Sequence, residues 1–477
     1  MSLTSIVKAL SSLLVIVSAM MLLIPIIDIM TGRPISTPFL IVGSVVLIPS
    51  LLISKKLTAG ELTSYEAIAT AATSWLVIPL ISAIAMSLEL KLPFIDMYFE
   101  SLSGFTGTGF SVIPDLRPLK PSIIFWRSLM QWSGELGIVV FAVAILPHVY
   151  KVVTRVYLVE RGKLTETIVS TAKMIIAIYV VYTLLGLIAY MATGMTFYEA
   201  INYIMTTIAT GGMAVYNDSL RTIYLRAPLV IYPVMIFMVL GAFNFNDLRY
   251  LLRARLSKLK ESPELRPYLI LLAIGSLLTV LAHLFVDHMK PSEALIYGVF
   301  HYLSGATTTG FTLSALSDLS DVSKAVLIMG MAIGGATFST AGGIKVLRFV
   351  LITKNISWIS ARMLLPSDVT FRRAVGKELI SDEALVSALS LAVTYISINF
   401  VLSLALSATA NVKFIDALFE VTSGMSCVGL SVGVVSHTLP AVSKIILMIA
   451  MYLGRLEFVQ LYVITGYLLK RKYGLRI

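Results

Sequence analysis

Four stretches of this 477-residue chain carry one pattern: Ser103-Gly104-Phe105-Thr106-Gly107-Thr108-Gly109-Phe110, Thr206-Thr207-Ile208-Ala209-Thr210-Gly211-Gly212-Met213, Ser304-Gly305-Ala306-Thr307-Thr308-Thr309-Gly310-Phe311 and Ser423-Gly424-Met425-Ser426-Cys427-Val428-Gly429-Leu430. They align without gaps, each with a small polar residue six before a shared glycine at 109, 212, 310 or 429. Those glycines lie 103, 98 and 119 residues apart. One such string would mean little, because Gly and Thr are common. Four in register mark a repeated structural unit. In the second copy Gly211 precedes Gly212, which leaves its register open by one residue.

Outward from each loop the chain becomes apolar. The segments leading into the loops, 95–108, 198–211, 294–309 and 415–428, are too short to cross a bilayer and read as re-entrant helices. Around them, windows long enough to span fall near 6–30, 37–54, 65–89, 122–147, 168–193, 227–246, 268–287, 323–353, 383–409 and 440–469. The unit is span, short helix, glycine loop, span. The expected fold is an all-α integral membrane protein of about ten spans. Four units are arranged pseudo-fourfold around one pore, after an extra two-helix hairpin. The divisions expected are 1–60 for the hairpin, then 61–150, 151–262, 263–378 and 379–477 for the four repeats.

Composition agrees. The chain is 57% hydrophobic and 13% charged, about half the charge a soluble surface needs. Mean hydropathy is +0.90. A single cysteine, Cys427, excludes an intramolecular disulfide framework, and the five histidines have no metal-ligand spacing. The net charge of +11 does not indicate nucleic acid, because the basic residues cluster in connections between apolar stretches. Most lie on one alternating set: Lys8; Lys55 and Lys56; Lys151, Arg155, Arg161 and Lys163; Arg249, Arg253, Arg255, Lys258, Lys260 and Arg266; Lys345, Arg348, Lys354, Arg362, Arg372, Arg373 and Lys377; and Lys470, Arg471, Lys472 and Arg476. The positive-inside rule places that set, and both termini, in the cytoplasm, so the short helices dip in from outside. The apolar run from Ala9 to Met30 reads as a retained first span.

The chemistry of the loops is that of a cation pathway. A dehydrated cation can be held by rings of backbone carbonyls, and aiming successive carbonyls inward requires backbone angles that Gly adopts most cheaply. Asp96, Glu199 and Asp416 each stand 13 residues before their glycine, near the start of the short helix, where an acid complements the positive helix end. Tyr297 holds that place in the third copy. Each shared position carries a single glycine; only the first loop adds a second, Gly107, two residues earlier. A short carbonyl run of this kind should discriminate less sharply than a longer one, and the expectation is a preference for K⁺ and Rb⁺ with some Na⁺ admitted.

These residues resemble the Trk/Ktr/HKT superfamily of potassium transporters over nearly the whole chain. Trp126-Arg127-Ser128 with Gln131-Trp132-Ser133-Gly134 is similar to the family's second span of repeat one. Glu135 departs from it, standing where the family more usually has glycine. The run Gly334-Gly335-Ala336-Thr337-Phe338-Ser339-Thr340-Ala341-Gly342-Gly343-Ile344-Lys345 resembles the intramembrane loop that gates the family's pore. Four glycines and a run of hydroxyls also make a continuous helix improbable there. Gly454-Arg455-Leu456-Glu457 is similar to a motif whose arginine lies close to that loop. An arginine at this depth needs a partner or the pore itself, and Glu135 and Glu457 are candidate partners.

The resemblance implies K⁺ flow down its electrochemical gradient across the plasma membrane. It further implies control by a cytoplasmic nucleotide-binding RCK ring, and homodimers with a separate pore in each protomer. Glycine at 109 resembles the potassium-favouring type; serine there marks the sodium-favouring plant members. The expected filter is Thr106, Gly107, Thr108 and Gly109; Ala209, Thr210, Gly211 and Gly212; Thr307, Thr308, Thr309 and Gly310; and Ser426, Cys427, Val428 and Gly429. The expected gate is Gly334, Gly335, Ser339, Thr340, Gly342, Gly343, Lys345 and Arg455. No GxGxxG or P-loop occurs, so a nucleotide would have to bind a partner. An ion-coupled symporter and a membrane enzyme are the alternatives. Repeats that all share one topology disfavour the first, and the lack of any catalytic constellation disfavours the second.

Overall fold

The computed structural model describes residues 3–57, 64–149, 168–366, 372–376 and 378–462. The basic residues at 151–163, 377 and 470–476, and the divisions expected at 60 and 150, lie outside these.

Among the described residues the regular structure is helical apart from a two-stranded hairpin pairing Ala374–Val375 with Glu378–Leu379. The first span is two helices, α1 (Leu3–Met21) and α2 (Leu23–Met30). Pro25 explains the break, since its ring would clash with the carbonyl four residues back. With α3 (Thr37–Lys56) they form the extra hairpin. Asp28 ties it to the repeats by accepting from the Ser36 N–H at 2.8 Å and from the Ser122 hydroxyl.

Each repeat enters on a long helix, returns on a short one and leaves on a third. In the first these are α4 (Ser64–Leu90), α5 (Phe94–Phe105) and α6 (Pro121–Val149). In the second, α7 (Ile168–Ala192) and α8 (Phe197–Ile208) are followed by α9 (Arg221–Arg226), α10 (Ile231–Gly241), α11 (Phe245–Leu252) and α12 (Leu256–Lys260). The third has α13 (Leu265–Phe285), α14 (Pro291–Ala306), α15 (Asp321–Ile333) and α16 (Val346–Leu364). The fourth has α17 (Asp382–Ala410), α18 (Phe414–Met425) and α19 (Ala441–Arg455). The short helices α5, α8 and α18 have 12 residues each, about 18 Å at 1.5 Å per residue, or half a bilayer.

Among the described residues six helices are long and apolar enough to cross a membrane, and the exit helices of the last three repeats are shorter than their sequence windows. The windows at 227–246, 323–353 and 440–469 are each interrupted at a comparable place. After Gly241 the chain turns, and the Asn244 side chain caps α11 by accepting from the Asn246 N–H at 2.9 Å. Gly334 ends α15 with a left-handed φ of 72°. Past Arg455, Glu457 and Phe458 are left-handed too. A hydropathy window sums side-chain polarity, whereas these breaks come from backbone conformation and, at 244, from a helix cap.

Charged pairs stitch neighbouring repeats together at the starts of the short helices. Lys324 of α15 bonds Asp416 of α18 at 2.7 Å, and Lys444 of α19 bonds Asp96 of α5 at 2.5 Å. The second pair joins repeat four back to repeat one. Glu199 stays within its own repeat: it forms a capping box with Thr196 and a 2.7 Å pair with Arg226.

Candidate ion pathway

The C-termini of α5, α8, α14 and α18 run into the four loops, and each loop folds back on its helix in the same way. The N–H groups of Thr108, Gly211, Thr309 and Val428 donate to the carbonyls of Ser103, Thr206, Ser304 and Ser423 at 2.8–2.9 Å. The small polar residue shared by all four copies is thus the one whose carbonyl fixes the loop.

Two residues in each loop are left-handed: Gly107 and Gly109, Thr210 and Gly212, Thr308 and Gly310, Cys427 and Gly429. Extended chain throws successive residues to opposite sides. Alternating left- and right-handed backbone instead turns successive carbonyls to one side, as a carbonyl-lined passage requires. In the second loop Gly212 has φ 73° and Gly211 is not left-handed, which resolves the register in favour of 212.

The loops close on one another in chain order. A Cβ on Gly109 would collide with the Gly211 carbonyl oxygen, one on Gly212 with that of Thr309, one on Gly310 with that of Val428, and one on Gly429 with that of Thr108. Each glycine therefore abuts the carbonyl just before the shared glycine of the next loop, and the fourth contact returns to the first loop.

Behind this ring sit braces that the sequence reading passed over. Glu100 accepts from the Val112 N–H at 3.0 Å and pairs with Arg127 at 2.8 Å; both side chains are buried. Glu420 accepts from the Val432 N–H at 3.0 Å and the Ser431 hydroxyl at 2.7 Å. His301 accepts from the Leu313 N–H at 3.1 Å. All three stand nine residues before their shared glycine, as does Tyr203, so the spacing carried a signal that the differing residue types concealed. Gln131 donates to the Gly211 carbonyl at 2.6 Å and accepts from the Met213 N–H at 2.9 Å.

Residues 334–345 form a closed loop between α15 and α16, and its tip packs against the ring loops. Gly342 N–H donates to the Thr308 hydroxyl at 2.9 Å, and a Cβ on Gly342 would strike the Ser426 carbonyl. The Thr340 hydroxyl donates to the carbonyls of Ile208 at 3.1 Å and Gly241 at 2.9 Å. At its base, Lys345 N–H donates to the Ile333 carbonyl and Val346 N–H to that of Gly335, each at 2.9 Å. Gly343 is left-handed, Ser339 donates to the Ala336 carbonyl at 2.6 Å, and the Lys345 ammonium donates to the carbonyl of Ala341.

The hydrogen bonds of Arg455 run to α6 rather than to this loop. Its guanidinium bonds Glu135 at 2.5 Å and the Gly134 carbonyl at 3.3 Å, and it lies over the Trp75 ring. Glu457 instead pairs with Arg348 at 2.5 Å. The expected gate residues therefore divide: Thr340 and Gly342 reach the ring loops, Gly334, Gly335, Gly343 and Lys345 close the loop at its base, and Arg455 joins repeat four to repeat one.

A family model described as a cation transport protein, TrkH, matches residues 41–470. The chain belongs to the TrkH family. An uncharacterized cation transporter of Methanocaldococcus jannaschii is 29% identical over 89% of this chain and 87% of its own. The Trk system potassium uptake protein TrkH of Halomonas elongata is 31% identical over 83% of this chain and 84% of its own. The crystal structure of the potassium transporter TrkH from Vibrio parahaemolyticus superposes with a TM-score of 0.86 at 26% identity, covering 97% of this chain and 98% of that one. TrkH-family proteins are transporters, so this chain is a membrane transport protein and not an enzyme. The span matched by the TrkH family includes all four loops and the 334–345 segment.

Proposed function

We propose that this chain is a gated, channel-like transporter that mediates K⁺ uptake across the plasma membrane, with the four loops as its selectivity filter. The observation that carries this reading is the closed ring: four loops of one chain, each abutting the next. Potassium uptake is named for the Halomonas relative and potassium transport for the Vibrio structure. K⁺ would bind the backbone carbonyls of residues 106–109, 209–212, 307–310 and 426–429. Rb⁺ should follow the same route, and Na⁺ to a lesser degree. The negative ends of the four short helices point at the same place.

In this reading residues 334–345 are the gate. The expected divisions into hairpin and repeats, the cytoplasmic placement of both termini and the homodimer belong to it as well. The basic segments at 151–163, 249–266 and 362–377 together are taken as a face for either anionic lipid or an acidic-faced cytoplasmic RCK ring. Reconstituted in liposomes, the protein should carry cation current whose bi-ionic reversal potential favours K⁺ over Na⁺. Strict one-to-one coupling to H⁺ or Na⁺ would overturn the channel-like reading in favour of symport. Charge reversal at Arg253, Arg255 and Lys258 should abolish co-purification of the RCK partner; a partner still retained would place its docking face elsewhere.

A further inference from the structure

The tip of the 334–345 loop is bonded to the filter loops, but its base is held from another quarter. Glu264 is buried at the junction between the 249–263 connection and α13. One of its carboxylate oxygens accepts from the Thr337 N–H at 2.9 Å, the Thr337 hydroxyl at 2.8 Å and the Leu347 N–H at 3.1 Å. Thr337 lies on the entering limb of the loop and Leu347 in the first turn of α16, just past the returning limb, so a single oxygen ties the two limbs at their bases. From the start of α11, just before that connection, Asn244 donates to the Thr337 carbonyl at 2.7 Å, and Phe245 N–H donates to that of Phe338 at 3.1 Å. A 2.6 Å bond from Ser262 to Asp247 fastens the two ends of the 245–264 stretch together.

We propose that Glu264 is the positioning residue that latches the loop in its plugged conformation and transmits displacement of the 249–263 connection to it. This rests on the reading of 334–345 as the gate. Bonds of 2.8–3.1 Å are lost once donor and acceptor separate past 3.5 Å. A movement of under about 1 Å at Glu264 therefore frees both limbs together. The same stretch carries Arg249, Arg253, Arg255, Lys258 and Lys260, so a charged partner that grips it pulls directly on the latch.

The test is Rb⁺ uptake into liposomes holding the full-length protein without a regulatory partner. Glu264→Ala should raise uptake roughly tenfold, because it removes charge-assisted bonds to both limbs. Glu264→Gln should raise it less, because the amide oxygen still accepts from both N–H groups. Thr337→Val, which deletes only the hydroxyl donor, should raise it about threefold. The K⁺/Na⁺ reversal potential should not move, which separates release of a latch from damage to the filter. In a variant lacking residues 338–343, Glu264→Ala should add nothing. If the loop-lacking variant conducts freely while Glu264→Gln and Thr337→Val match the parent, the latch is wrong and the gate stands. If the loop-lacking variant also matches the parent, the gate reading fails and the latch with it. Should Glu264→Ala not fold, the Gln and Val variants decide.

Discussion

A hydroxymethyl group at position 109, 310 or 429 has nowhere to go. Each glycine is left-handed, with φ of 86–88°, where an L side chain is strained by about 1–2 kcal/mol. Beyond that strain, the Cβ would displace a carbonyl of the neighbouring loop. Serine at any of the three should therefore move a carbonyl in the next loop and shift permeability toward Na⁺, measured as a bi-ionic reversal potential. Unchanged selectivity in all three would sink the ring as the filter. The shared glycines were legible in the sequence because only Gly suits such a backbone cheaply. The other left-handed positions were legible only at Gly107. Thr210, Thr308 and Cys427 adopt the same conformation with a Cβ present. Residue type does not announce this; the surrounding bonds to the short helices impose it.

Between elements, the pair of Arg455 and Glu135 ties repeat four to repeat one. Both residues stand 26 positions after their shared glycine, one in repeat four and one in repeat one, so the repeat itself brings them face to face. Removing one partner of a buried pair strands the other charge, at about 3–5 kcal/mol. Glu135→Gln should therefore lower the melting temperature in detergent and leave the Arg455 charge uncompensated beside the ring loops. Cation flux should fall. Arg455→Gln in the same background should recover both stability and flux; if the double variant is no better than the single, the pair is not the cause. The interruption of the 323–353 span could be read from its glycines. That of 227–246 could not, because it depends on the Asn244 side chain capping a new helix. Likewise Glu264 carried no sequence signal, since the groups it holds, two backbone N–H groups and the Thr337 hydroxyl, lie 73 and 83 residues away.

Across the whole molecule, the pseudo-fourfold arrangement was the most legible feature, because four registered copies leave few other ways to bury their polar loops in lipid. The way the circle closes was not legible, since it depends on which repeats become neighbours. Lys444 and Asp96 make that closure, both nearly buried. Lys444→Met should destabilise the protein by about 3–5 kcal/mol through the stranded carboxylate, and Asp96→Asn added to it should recover most of the loss. Thermal unfolding in detergent measures both, and full stability of the single variant would show that closure rests on the glycine contacts instead.

That closure also bears on how the protein is made. Lys444 is translated 348 residues after Asp96, and at about 5–20 residues per second the ribosome needs roughly 17–70 s to cover that distance. Throughout that interval Asp96 lacks its lysine, Glu135 lacks its arginine, and the first loop lacks the neighbour that completes it. A product that stops short of the fourth repeat is thus an open arc in which Asp96 and Glu135 lack their partners. The last quarter of the polypeptide acts as a keystone, and insertion of the membrane helices is finished only when it is set.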